Sequence, residues 1–548
     1  VARKTPPVNL FAHNPIRMAQ LQFKGKQFVQ NYHLGVKYHE LVPDKKKSLT
    51  DKVRLDDNLI IHGDNLLALK ALLPTYAAKI KCIYIDPPYN TGNENWAYND
   101  NVNSPMMQEW LGKVVDKEDL TRHDKWLCMM MPRLKLLRDL LKEDGVIFVS
   151  IDDNEVHHLR MLMDDVFVES NFIANVIWQH SIQPKGYLSK FSVHHNHLIG
   201  YQKSVAFTIE SLRRTEEHNK NYSNPDDDPH GPWRAGDVRN ALYRKNLIYD
   251  LLTPSGKSIK PPPNGWRWSK ETMRDKIAKG EVIFGKDEKR VIRKIYLKDV
   301  IGRTPETIWF GKEVGTTRDA TEELKSLFND TSPFETAKPV NFLKRIIEIA
   351  SEKDSIILDS FAGSGTAAHA VLSLNKEDSG NRRFILVEME DYADTITAER
   401  VRRVIKGVKT AKDENLKKGL GGTFSYFTLG KPIEMENILS GKNLPTYKEL
   451  ARYVFYTATG EEFHEKQVDE KKFYIGESKQ YKVYLLYKPN IEYLKSTALT
   501  LNIAESLGSS KGKKRLVFAP TKYLDQDQLD RLRIDFAQLP FEIYHLAE

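Results

Sequence analysis

A short apolar run, Lys81-Cys82-Ile83-Tyr84-Ile85, is followed at once by Asp86-Pro87-Pro88-Tyr89. The run has the length and composition of a strand buried on both faces, as in a parallel sheet. Two successive prolines cannot continue a sheet, because each lacks the N–H that the ladder needs. The chain must therefore turn at residue 86, at the carboxyl end of the strand. Open α/β sheets hold their ligands there.

The turn residues have a specific chemical use. The Asp86 carboxylate and the Pro87 carbonyl, its direction fixed by Pro88, are two acceptors. Aimed at the two N–H bonds of an exocyclic amine, they favour a pyramidal and more nucleophilic nitrogen. Tyr89 offers a flat face for an unstacked base, worth roughly 1–3 kcal/mol per base. A base within a duplex reaches such a site only by leaving the stack. The bland alternative is an ordinary turn in which Asp86 bonds local amides, and a second motif is needed to choose.

Ser355-Ile356-Ile357-Leu358-Asp359 reads as another buried strand, followed by Phe361-Ala362-Gly363-Ser364-Gly365-Thr366. Ala367 to Leu374 is compatible with a helix. Strand, glycine turn and helix let backbone amides approach a ligand at a helix N-terminus. The next strand, Arg383 to Val387, ends at Glu388, an acid placed to accept both hydroxyls of a ribose. A dinucleotide fingerprint is disfavoured, since Ala368 stands where the third glycine would fall. The pattern G-x-x-x-x-G-K-[ST] is absent, which argues against ATP hydrolysis by a P-loop.

With both motifs in hand, the chain resembles S-adenosylmethionine-dependent amino methyltransferases of DNA. Asp-Pro-Pro-Tyr precedes the glycine motif by about 270 residues. That order resembles the β class of N6-adenine enzymes, circular permutations of one Rossmann-like fold. Within it the chain is most similar to modification subunits of type III restriction-modification systems. His62-Gly63-Asp64-Asn65, Asp86 to Gly92, Gly145 to Glu155, Lys338-Pro339, Phe361 to Thr366 and Glu388 carry the likeness.

The resemblance implies an α/β fold: a permuted Rossmann-like methyltransferase with a mixed, mainly parallel sheet. It also implies an inserted target-recognition domain and an α+β C-terminal module. In catalysis, Asp86, Pro87 and Pro88 would hold the amine and Tyr89 would stack on the flipped base. Asp359, Phe361, Ala362, Gly363, Ser364, Gly365 and Thr366 would surround S-adenosylmethionine, Glu388 its ribose, with Asp64 and Lys338 as further cofactor-pocket residues. Asp at position 86 favours adenine, since cytosine-N4 enzymes more often carry Ser there; N4 remains open, as do an RNA substrate and a binding-only specificity subunit. The partners implied are double-stranded DNA, a second copy of the chain, and a separate helicase–nuclease subunit that cleaves.

No metal is required by this chemistry. Cys82 and Cys128 are expected to be core residues, and His194-His195-Asn196-His197 a strand-edge or surface cluster. With 548 residues, 40% hydrophobic and 29% charged, the chain reads as two to four globular domains. It lacks an apolar run of the ~18–20 residues that span a membrane, and Val1 to Pro7 has no apolar signal core. Two cysteines fit a reducing cytoplasm. A net charge of +9 favours a polyanionic partner, although a lysine-rich composition alone gives the same sign.

Composition divides the chain further. Residues 1–50 read as a basic arm, 51–180 as the catalytic half of the sheet and 181–310 as the target-recognition domain. In the last, Arg234, Arg239, Arg244, Trp266, Arg267 and Trp268 interleave basic and aromatic groups suited to DNA. Residues 311–408 complete the cofactor half and end in a basic helix with Arg400, Arg402, Arg403 and Lys406. That helix reads equally as solvated or DNA-facing. Residues 409–422 read as a linker, and 423–548 as a structural or partner-docking module.

Overall fold

The computed structural model describes residues 21–91, 121–184, 191–411, 413–433, 444–508 and 512–539. Its largest element is a ten-stranded sheet. In chain order the strands are β1 (His39–Pro43), β2 (Leu59–His62), β3 (Ile80–Ile85), β4 (Leu141–Ile151), β5 (Phe172–Gln179), β6 (His195–Gln202), β7 (Ile308–Trp309), β8 (Ile356–Asp359), β9 (Arg383–Glu388) and β10 (Ser425–Pro432). Across the sheet the order is β1-β10-β2-β9-β8-β3-β4-β6-β5-β7. Pairing is parallel from β10 to β4 and between β5 and β7, and antiparallel for β1–β10, β4–β6 and β6–β5.

The central strands read as continuous apolar runs because helices cover both faces. Every residue of β3 and of β8 is buried. Helices Asn65–Tyr76 and Arg122–Leu140 pack their Leu, Met and Trp side chains against β3 and β4 in one core cluster. Among the described residues no helix is long and apolar enough to cross a membrane.

The sheet reaches past two boundaries read from composition. β10 lies beyond residue 423, yet it pairs with β2, with Phe427 opposite Ile61. β1 lies within the stretch read as a basic arm, yet it pairs with β10. β10 closes an edge of β2 that would otherwise leave its backbone groups unpaired, and β1 in turn covers β10.

Residues 210–305 form a compact unit of their own. It holds an antiparallel sheet of Val282–Phe284, Val291–Tyr296 and Trp233–Gly236 around a core of Val238, Leu251, Trp266, Met273 and Val282. Residues 195–202, also within the stretch read as a recognition domain, are β6 of the large sheet. After β10 comes a second sheet, of Tyr474–Glu477, Tyr481–Leu485, Lys514–Ala519 and Ile534–Gln538, with a core cluster on each face. It joins the catalytic half through Phe463, whose N–H donates to the Pro74 carbonyl at 3.0 Å. The tail residues beyond 539 lie outside the described residues.

Candidate active site

β8 and β3 are parallel neighbours, with Ile357 opposite Cys82. From β8 the chain passes through helix Thr366–Asp378 to β9 on one side; from β3 it passes through helix Arg122–Leu140 to β4 on the other. The crevice between β3 and β8 is therefore a topological switch point, where open α/β sheets bind ligands. The loops after both strands open there into one cavity of about 940 Å³, lined by Asp86 to Tyr89, Lys338, Asp359, Phe361 to Ser364 and Thr366.

The Asp86 loop is held from below. Trp126, fully buried, donates its indole N–H to the Pro88 carbonyl at 2.7 Å. Asn90 takes a left-handed backbone (φ +57°), which asparagine tolerates better than most residues. Its amide donates to Glu155 at 2.5 Å. The fully buried Glu155 carboxylate also bonds His123 at 2.6 Å and His158 at 2.8 Å.

Both oxygens of Asp86 are engaged. The Tyr89 hydroxyl donates to Oδ1 at 2.8 Å, and the Lys338 ammonium pairs with Oδ2. Lys338 arrives from the distant half of the chain, just before helix Val340–Ala350. Its amino group also lies 5.3 Å from the centre of the Tyr89 ring. Among the described residues nothing donates to the Pro87 carbonyl.

The glycine loop is gripped from behind. Gly363 and Gly365 have φ of +51° and +79°, and a Cβ on Gly365 would sit 3.0 Å from the Thr397 carbonyl. Thr397 donates to the Gly363 carbonyl at 2.5 Å. Arg400, fully buried, donates to the hydroxyls of Ser364 at 2.9 Å and Thr366 at 2.7 Å. Thr397 lies in a π-helical turn, Asp394–Ala398, that leads into helix Glu399–Lys406. Such turns recur at functional sites. Glu388 accepts the Gly363 N–H at 2.7 Å and the N–H groups of Met389 and Glu390 at 2.9 and 3.1 Å.

Burial, together with the nearby Asp86 and Glu388 carboxylates, pushes the Asp359 carboxyl well above its usual range. Burial and then Arg400 hold His369 well below its ordinary value, so its ring is neutral. Burial also pushes the thiols of Cys82 and Cys128 up to about 12, so neither supplies a thiolate at neutral pH.

The sequence model of a family described as "DNA methylase" matches residues 80–399, which span both loops. The chain belongs to the DNA methylase family. The type III restriction-modification enzyme StyLTI Mod subunit of Salmonella typhimurium is 31% identical over 470 residues, covering 79% of this chain and 71% of that one. The type III EcoP15I Mod subunit of Escherichia coli is 29% identical over 474 residues, covering 73% and 72%. The type II methyltransferase M.KpnI of Klebsiella pneumoniae is 32% identical over 379 residues, covering 64% and 84%.

Not every residue singled out from this methylase's sequence reaches the cavity. Asp64 caps helix Asn65–Tyr76, accepting the Leu66 N–H at 2.8 Å, and lies 3.5 Å from Arg133. Gly365 and Glu388 stand behind the cavity wall. Arg400 is not at a solvated or DNA-facing edge; it points inward, because Ser364 and Thr366 give its guanidinium buried acceptors. In the unit of residues 210–305, Trp266 is core and not at the surface, its indole donating to the Tyr249 carbonyl at 2.7 Å. Arg239 folds back on Asp237. Arg234, Arg244 and Arg267 are exposed. Trp268 is ringed by Arg267, Lys276 and Arg293 at 5.8, 5.2 and 5.8 Å.

Two groups of described residues in the methylase bring ligand-type atoms within 4.8 Å of one another: His123, Glu155 and His158, and Asp153, His195 and His197. The first is the hydrogen-bonded base of the Asp86 loop. In the second, His197 pairs with Asp153 at 3.0 Å and with Asn175 across adjacent strands. Trp126, Glu155, Thr397, Arg400 and Arg293 were not legible as site residues. Trp126 had a local signal in the capping pair Thr121 and Asp124 that starts its helix, and Glu155 one in the Gly145–Glu155 stretch that carries the family likeness.

Proposed function

We propose that this chain transfers a methyl group from S-adenosylmethionine to N6 of an adenine swung out of duplex DNA. It acts in the bacterial cytoplasm as the modification and recognition subunit of a restriction-modification system, with cleavage left to a separate subunit and with two copies pairing on DNA. The observation that carries this reading is the single cavity shared by the Asp86 loop and the glycine loop. Its size suits a cofactor together with one base.

When bound, S-adenosylmethionine supplies an activated methyl group on a sulfonium. The residues of the chain do the rest. Asp86 accepts one N–H of the target amine and the Pro87 carbonyl the other, so charge developing on nitrogen meets preset acceptors. The Tyr89 ring stacks on the base after its hydroxyl yields Asp86 to the amine. Trp126 and Asn90 keep the loop fixed, so that alignment costs little at the moment of reaction. Incubation of the purified chain with labelled cofactor and duplex DNA tests this: label is expected on adenine, and label on cytosine alone would overturn the base assignment.

The residues at the cavity fit a cationic cofactor. Asp86 and Asp359 place carboxylates on the cavity wall, with Glu388 behind Gly363, and the glycine loop leaves room for close backbone approach. This gives a pH dependence with a definite sign. Asp359 has a raised pKa, so it holds a proton at acid pH. A cation beside it favours the ionised form, and binding then expels that proton. Cofactor affinity is expected to rise with pH, by up to about tenfold per unit for one proton, and to level off once Asp359 is ionised. Calorimetry should show the rise in the native chain and its loss in Asp359→Asn.

Recognition is assigned to residues 210–305. Arg293 has like-charged neighbours in Arg267 and Arg234, a concentration of positive charge suited to phosphate. Arg267→Ala is expected to weaken binding to all duplexes alike and to reduce the salt slope by about 1. Trp266→Ala is instead expected to destabilise the unit by about 3–5 kcal/mol, seen in urea unfolding.

A further inference from the structure

Lys338 is nine-tenths buried, and its ammonium rests on the carboxylate assigned to the target amine. Its approach is fixed by backbone. Gly315 (φ +85°) lacks a Cβ where one would meet Pro339 at 2.7 Å, so the Lys338-Pro339 segment closes against it. Lys338 and Asp86 thus present a donor beside an acceptor at the floor of the cavity. The amine edge of adenine is the complement: a donor, N6–H, beside an acceptor, N1, on the same ring carbon. Guanine and thymine carry an N–H at the corresponding ring position and would meet the ammonium donor to donor.

We infer that Lys338 is a base-reading residue: when the amine takes Asp86, the Lys338 ammonium turns to donate a hydrogen bond to N1 of the flipped adenine. The inference rests on the adenine-methylation reading above and deepens it, assigning Lys338 to the base and not to the cofactor. In the base-free protein the ammonium occupies the place of the amine on Asp86 Oδ2, as the Tyr89 hydroxyl occupies Oδ1. The half-buried carboxylate therefore keeps a partner before and after the base arrives. Base arrival replaces the two donors on Asp86 with one amine N–H, and the Lys338 ammonium takes N1 in exchange for the carboxylate. Lys338 also keeps a positive charge beside the carboxylates of the site while the base is bound.

The test uses the full chain and duplexes that carry the site it methylates in plasmid DNA. The target adenine is replaced by 1-deazaadenine, which keeps N6 and has C–H in place of N1. Its weaker pairing makes flipping easier, so a lower rate reports the missing acceptor. The native chain is expected to lose about tenfold or more in kcat/KM on this base. Lys338→Met is expected to be slow on adenine and no slower on 1-deazaadenine, with cofactor affinity kept in calorimetry. Equal rates of the native chain on the two bases would overturn the inference alone, as would a tenfold discrimination that survives in Lys338→Met. Absence of any transfer to adenine by the native chain would overturn the methylation reading and the inference with it.

Discussion

Asp86→Ala is expected to lower methyl transfer by about 10²–10³-fold or more while leaving DNA affinity unchanged. Asp86 provides a preset acceptor for the amine, and its backbone position is held independently by the Trp126 bond to Pro88 and the Asn90 bond to Glu155. Alanine removes the acceptor without releasing the loop. It also strands the Lys338 ammonium, nine-tenths buried, without its partner. Single-turnover transfer and a gel-shift titration separate the two readouts. A parallel fall in both would mean that Asp86 supports the fold and not the reaction.

Arg400→Met is expected to cost about 3–5 kcal/mol of stability and to weaken cofactor binding. The arginine is fully buried and joins Ser364 and Thr366 of the glycine loop, with His369 beside it at 3.4 Å. Glu323 lies close enough for Arg400 to lower its carboxyl, while burial pushes that carboxyl up. Loss of the guanidinium leaves the two hydroxyls with only their 3.2 Å bond to each other, and leaves that carboxylate with the Val340 N–H but no nearby positive charge. Arg400→Lys should recover only part, because one ammonium cannot reproduce the planar fork. Urea unfolding followed by calorimetry with cofactor checks both effects. A variant as stable as the parent would show that the loop holds its shape through Thr397 and Glu388 without the arginine.

Strands β3, β8 and β9 were legible in the sequence within a residue of their ends, because strands buried on both faces read as unbroken apolar runs. The turns after β3 and β8 were legible for a different reason: proline pairs and close glycines leave the backbone few options. Strands at and next to a sheet edge carry no such signal. β1 and β10 mix polar and apolar residues and were read as an arm and a separate module. Lys338 shows most clearly where sequence reading stops. Its partner Asp86 lies 252 residues away, and only the neighbouring positions of β3 and β8 bring the two together. Arg400 was misjudged because a basic helix looks the same in sequence whether its charge meets water or buried hydroxyls.

Single-molecule sequencing of plasmid DNA from cells that express the chain, beside cells that express Asp86→Ala, tests the central claim most directly. The account predicts N6-methyladenine at one recurrent motif with the native chain and none with the variant. The same modification in both, or N4-methylcytosine in place of N6-methyladenine, would contradict it.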